Sequence, residues 1–252
     1  MTGTSDLVKL AQKLLAHGPY KFEHTSRRVR ALFNGKYAFD TTKAYHVWEY
    51  EPRYPQFYVP LSSFTRDAEI CKAAPVDGTD GGAHLAKLTV GNRSSNRVII
   101  FNTGVLRDFV KVDFGAVDQW FEEDMPIYCH PKDPYKRIDI LPSTRCVKVA
   151  IDGVTLAESS NALFLLETTL PTRYYVPPTS VNWECLTPSD TATLCPYKGK
   201  ANYYNITVNG RVYRDLVWHY RYPTTESAPI AGHLCFYNEK VDIWVDGEKE
   251  QM

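Results

Sequence analysis

The sequence predicts a mainly β protein built from two similar halves, with one helix at its N-terminus. Three observations lead there. Strand-like runs bounded by tight turns dominate from Arg27 onward. The clearest helical periodicity lies before Gly18. A pattern in the first half returns in the second at a shift of 118 positions, the distance from Arg27 to Arg145.

The helix is expected over Ser5 to His17. Ser5 can cap it, Leu7, Leu10, Ala11, Leu14 and Leu15 recur at helical spacing, and Gly18-Pro19 stop it. Next, Val29 to Phe33 runs into Asn34-Gly35, a hairpin dipeptide. Further strands are expected at Lys36 to Phe39, Tyr45 to Tyr50 and Phe57 to Val59, the last ending or lying at an edge because of Pro60. Residues 72–82 read as a loop, Leu85 to Val90 and Arg97 to Phe101 as a hairpin, and Ala116 to Asp124 as a short helix carrying Trp120 and Phe121.

The repeat aligns Val29 with Val147, Gly35 with Gly153, Ala44 with Ala162, Glu49 with Glu167 and Thr89-Val90 with Thr207-Val208. A one-residue gap places Tyr58-Val59-Pro60 on Tyr175-Val176-Pro177, and Arg137 to Ile140 resembles Lys240 to Ile243. These matches divide the chain into a helix and lead-in (1–26), a first repeat (27–142) and a second repeat (143–252), with an insertion in the first at about Asp118 to Pro134.

Composition narrows the function. Lys plus Arg and Asp plus Glu both number 29, and this balance argues against a nucleic-acid partner. No apolar run approaches the roughly 20 residues of a membrane helix. Lys9 and Lys13 interrupt any signal-peptide core, so a cytoplasmic chain with reduced thiols is expected. No two of the six cysteines have zinc-ribbon spacing, and no metal or cofactor is expected. The 17 tyrosines and 5 tryptophans suit strands and small-molecule pockets.

The densest group of reactive side chains is Cys195-Pro196-Tyr197-Lys198-Gly199. An ammonium near a thiol favours the thiolate, the reactive form. The alternative is a buried cysteine in a tight turn. In the first repeat Asp77-Gly78-Thr79-Asp80 stands there, so that half has lost the thiol and the ammonium, and the site is expected in the second. Glu167 ends the apolar run Ala162 to Leu166, where burial would raise its pKa for acid–base work; otherwise it forms an ion pair with Arg145 or Lys198. Catalytic roles are thus expected of Glu167, Cys195 and Lys198. Contact with substrate is expected of Arg145, Tyr175, Tyr204, Trp218 and Tyr220. Tyr203 and Tyr204 must face opposite ways in a strand, whereas Trp218 and Tyr220 share a face with His219 on the other. His219 and His233 read as surface or satisfied histidines rather than catalysts, and His46 and His84 have no spacing that predicts a metal site.

The second half carries Asp152-Gly153, Glu167, Tyr174-Tyr175-Val176-Pro177, Cys195-Pro196-Tyr197-Lys198-Gly199, Tyr203-Tyr204, Trp218, Tyr222-Pro223, Ile230-Ala231-Gly232 and Val241-Asp242. This series resembles the family catalogued as Domain of Unknown Function 427, sometimes labelled nucleotidyltransferase-like. The first half resembles a divergent second copy, an arrangement similar to fungal members. The resemblance implies two β-tent-like units of antiparallel sheets. Zinc, held by paired cysteines in many other β-tent proteins, is not expected. Nor is nucleotidyl transfer, because the chain has no phosphate-cradling glycine loop and no close Asp pair. The expected function is a cofactor-independent enzyme acting on a small metabolite in an aromatic pocket, of lyase, isomerase or cyclase type. The alternatives are a binding module for a small molecule or peptide end, or a scaffold. A monomer or weak homodimer suffices, because the repeat already supplies an internal pair.

Overall fold

A computed structural model describes residues 3–51 and 54–251. Its elements fall into two units, Met1–Asp133 and Pro134–Met252. The first holds helix α1 (Ser5–His17) and strands β1 (Lys21–His24), β2 (Val29–Phe33), β3 (Lys36–Thr41), β4 (Tyr45–Trp48), β5 (Gln56–Pro60), β6 (Ala68–Pro75), β7 (Ala83–Val90), β8 (Arg93–Phe101), β9 (Phe109–Val112), β10 (Gln119–Glu122) and β11 (Met125–Ile127). The second holds β12 (Ile138–Ser143), β13 (Val147–Ile151), β14 (Val154–Ser159), β15 (Ala162–Glu167), β16 (Arg173–Val176), β17 (Leu186–Cys195), β18 (Gly199–Val208), β19 (Arg211–Pro223), β20 (Leu234–Phe236), β21 (Asp242–Val245) and β22 (Glu248–Lys249).

Both units are β-tent-like, each with one seven-stranded and one four-stranded antiparallel sheet. The large sheets run β1-β4-β5-β9-β8-β7-β6 and β12-β15-β16-β20-β19-β18-β17; the small ones run β11-β10-β2-β3 and β14-β13-β21-β22. The same strand order therefore appears twice. Asn34-Gly35 and Asp152-Gly153 make the corresponding hairpin turns with all four residues at positive φ, the backbone a two-residue turn between twisted strands requires. Among the described residues no helix is long and apolar enough to cross a membrane.

The structure corrects several expectations. Strand β1 pairs with β4, and β12 pairs with β15. Each is the outer strand of its unit's large sheet, so Lys21–His24 belongs to the first unit rather than to a lead-in. Likewise Ile138–Ser143 belongs to the second unit, ahead of the boundary expected at Pro142. Residues 116–124 form no helix: β10 pairs with β2 and buries Trp120. Strands β10 and β11 hold the places that β21 and β22 hold in the second unit, so Asp118 to Pro134 is not simply an insertion. The likeness of 137–140 to 240–243 links β12 to β21, strands with different places. Finally, β6 extends into residues expected to be loop, and α1 starts after Thr4 with no side-chain cap.

Alternation sets what each large sheet presents. In the second unit Tyr174, Val176, Ile206, Val208, Val217, Leu234 and Phe236 point inward and pack with Val147, Val149, Ile243 and Val245 of the small sheet. Their neighbours Leu165, Tyr175, Ala201, Tyr203, Trp218, Tyr220 and Cys235 form a separate cluster on the outer face. In the first unit the outer face carries Val47, Tyr58, Ile99 and Phe101, and α1 covers it with Leu7, Leu10, Ala11 and Leu14.

Candidate functional site

The outer face of the second unit's large sheet contains a hollow of about 250 Å³. Its walls are aromatic. Tyr203 stands opposite Trp218 and Ala201 opposite Tyr220 across the β18–β19 pair, and Trp218 stands opposite Cys235 across β19–β20. Because Ala201 is small, the space beside Tyr220 stays open at one end. Tyr175 meets Trp218 edge to face at 6.4 Å, and the Trp218 Nε1–H donates to the Tyr175 hydroxyl at 3.1 Å. Tyr237, just beyond β20, packs on Trp218 at 4.6 Å between ring centres. Cys195, Leu170 and Pro171 also line the hollow.

The turn between β17 and β18 places the charged group. Cys195 pairs with Gly199, and Pro196, Tyr197 and Lys198 form the bend. Gly199 has φ +99°, and a Cβ there would meet the Tyr222 carbonyl oxygen at 3.2 Å, so both conformation and space select glycine. The buried Ser227 hydroxyl donates to the Tyr197 carbonyl at 3.2 Å, as does Thr224, and the Thr224 N–H donates to the Lys198 carbonyl at 3.1 Å. This bracing aims Lys198 inward, where its ammonium donates to Glu167 Oε2. Lys136 lies 3.1 Å from the other carboxylate oxygen. Glu167 and Lys198 are both buried.

The electrostatics follow the ion-pair alternative for Glu167, with Lys198 as partner, rather than the raised pKa. Burial works to raise the Glu167 pKa, but the Lys198 and Lys136 ammoniums outweigh it, and the value falls below that of an ordinary glutamate. Glu167 is thus a paired carboxylate rather than a proton donor at neutral pH. The Lys198 ammonium serves Glu167, not the thiol. At the other border the Arg173 guanidinium forks onto Glu239 at 2.6 and 2.9 Å and lies 5.6 Å from the Trp218 ring centre. Desolvation holds the tyrosines protonated: those of Tyr175 and Tyr220 titrate far above 10, and that of Tyr237, which also bonds Tyr203, rises to about 12. Tyr203 and Thr193 share a hydroxyl hydrogen bond of 2.8 Å.

Six of the eight expected residues meet here: Glu167, Cys195, Lys198, Tyr175, Trp218 and Tyr220. Two do not. Tyr204 faces the opposite side of the sheet, against Trp183 and His219. It shares its parity with the apolar Ile206 and Val208, which turn that side into the core, whereas Tyr203 goes outward with Ala201. That parity was readable in the sequence. Arg145 lies with Asp246 at 2.6 Å, beside the small sheet. Arg173 and Tyr237 lacked a sequence signal, because each reaches the hollow only through strand pairing. His233 is exposed and its Nδ1–H donates to the Ala231 carbonyl at 3.2 Å, and His219 is on the core side.

Among the described residues no three His, Cys, Asp or Glu side chains are grouped to hold a metal. Comparison with curated proteins gives no match. A family model described as Domain of unknown function (DUF427) matches twice, over residues 21–120 and 139–247. The paired matches correspond to the two structural units, each including its outer strand or nearly all of it, and the chain therefore belongs to the DUF427 family as a tandem member.

Proposed function

We propose that the second unit binds a small organic molecule in the aromatic hollow on its outer sheet face. One observation carries this reading: large aromatic side chains gather around open space on a face that, among the described residues of its own unit, no α-helix covers, only the short 3-10 turn Thr225–Ile230 packing against it through Ile230. A sheet face whose only task was packing would close over such rings, because buried aromatic surface is stabilised by contact. The hollow's size suits a single-ring compound. Glu167, held ionised between two lysines, supports binding architecture more than acid–base turnover. The test is calorimetric titration with phenol, benzamide, benzoate and benzylamine on the wild type and Trp218→Ala, with melting curves for both. At least one probe should bind, and a folded Trp218→Ala should bind it at least about tenfold more weakly, as loss of an aromatic anchor does. Failure of every probe at millimolar concentration, or equal binding by the folded variant, rejects the reading.

A second reading, a cofactor-independent enzyme of lyase, isomerase or cyclase type, is favoured by Cys195 lining the hollow beside protonated Tyr175 and Tyr220. A thiol and phenolic donors around one substrate can add to, or polarise, an unsaturated carbonyl. Cys195→Ser would then abolish turnover of a bound compound while its affinity stayed within about threefold; turnover unaffected by Cys195→Ser rejects thiol chemistry.

A further inference from the structure

We propose that the hollow selects a singly charged organic anion, a ring bearing a carboxylate or an equivalent oxyanion, anchored by the Tyr220 hydroxyl and the Lys198 ammonium. This rests on the binding reading above and names its ligand class.

The argument is an inventory of unfilled hydrogen-bonding capacity. Tyr220 is 5% exposed, lines the hollow, and its hydroxyl has no hydrogen-bond partner. Its neighbours are otherwise committed: Tyr203 to Thr193, Tyr237 to Tyr203, and Tyr175 as acceptor from Trp218. The Tyr175 hydroxyl proton is left over as a second donor. That hydroxyl borders the open hollow rather than being sealed in the core, so its proton is available to a ligand acceptor. What the hollow lacks is an acceptor, since its carboxylates are taken. Glu167 accepts from Lys198 and Lys136, and Glu239 from Arg173. An ammonium has three protons and Lys198 spends one on Glu167, so two remain for a ligand.

Charge points the same way. The charged groups lining the hollow are Glu167, Lys198 and Arg173, two cations against one anion. Adding their partners Lys136 and Glu239 leaves the same single positive excess. In this half-enclosed hollow a ligand cation would meet that excess, whereas a monoanion neutralises it. The aromatic walls then hold the ring, and Arg173 over Trp218 stiffens the wall from behind.

The experiment compares benzoate with its neutral isostere benzamide and with benzylamine, by calorimetry, on the wild type and Tyr220→Phe. Benzoate should bind at least about tenfold more tightly than either. Tyr220→Phe should weaken benzoate by at least about tenfold, the usual yield of one hydrogen bond to a charged group, while its melting temperature stays within a degree or two. Benzamide or benzylamine binding as tightly as benzoate overturns the anion assignment and leaves the binding reading standing. Benzoate affinity unchanged in Tyr220→Phe overturns the Tyr220 anchor. Absence of binding by all three overturns the binding reading and this inference together.

Discussion

The two large sheets share strand order, yet their outer faces have opposite fates. In the first unit α1 lays four apolar side chains across the face and closes it. In the second unit tyrosines and a tryptophan stand around open space. The carboxylate is common to both, as Glu49 and Glu167, but its cation comes from different places. Tyr58 stands opposite Lys111 across β5–β9, and Lys111 reaches Glu49 at 2.7 Å; the Tyr58 hydroxyl donates to the same carboxylate at 3.0 Å. The equivalent pair is Tyr175 and Cys235, so the second unit has a buried thiol where the first has an ammonium. Lys198 of the β17–β18 turn supplies the charge instead. The first unit has therefore not lost its ammonium, as the repeat alignment implied; it holds it on a strand. Moving the cation from the sheet to a turn frees Tyr175 and clears room beside it. One fold thus makes a sealed face where a helix covers it and a strand roots the lysine, and a hollow where no α-helix covers it and a turn supplies the lysine.

The largest expected effects test that relocation. Lys111→Met takes a buried ammonium away from the partly buried Glu49 and should cost about 4 kcal/mol of stability, within the usual range for breaking such a pair. Lys198→Met should cost about half as much, about 2 kcal/mol, because Lys136 still faces Glu167. Urea unfolding of both variants checks the ranking; equal losses would mean that the two carboxylates are not differently supported. Leu10→Ala in the covering helix should cost about 3 kcal/mol by opening a cavity, read from the same unfolding curves.

The clearest pH effect belongs to the first unit. His46 is buried against Phe57 and Trp48, and its Nε2 has no hydrogen-bond partner. Burial, helped by the Arg27 charge and opposed by Asp133 and Glu23, lowers its pKa from 6.5 to about 4. The folded state thus favours neutral imidazole. Its contribution is complete above pH 6.5 and is lost as pH falls toward 4, by at most about 3 kcal/mol. His46→Leu should flatten the stability profile in that window; an unchanged slope would contradict the assignment. Glu167, lowered rather than raised, adds a further loss only below about its ordinary carboxylate range. The smallest effect is Tyr220→Phe without ligand, under about 0.5 kcal/mol in urea unfolding, since the hydroxyl removed bonds nothing.

Much of this was legible in the sequence, and the misses have physical causes. Turn dipeptides and the recurring Glu and Tyr-Val-Pro positions give the doubled architecture, because turns and buried charges restrict residue choice wherever the fold recurs. Period-two alternation puts Trp218 and Tyr220 on one face. It cannot say which face is the core without a reference, and Tyr204 was placed in the pocket although Ile206 and Val208 of the same parity mark the inner side. The short strand around Trp120 imitates a helical turn, since four residues hold too little periodicity to separate the two. The outer strands β1 and β12 escaped because each pairs on one side only and carries little apolar signal. Arg173 and Tyr237 lie in segments that meet the hollow only after the sheet has formed.

The most direct measurement is chemical-shift mapping of the intact protein with benzoate. Perturbation should centre on the Trp218 indole N–H and the amides of Tyr203, Tyr220 and Lys198, with the helix-covered Tyr58 and Ile99 amides of the first unit unmoved. Shifts at those first-unit positions instead, or none at the Trp218 indole up to saturating probe, would contradict the account.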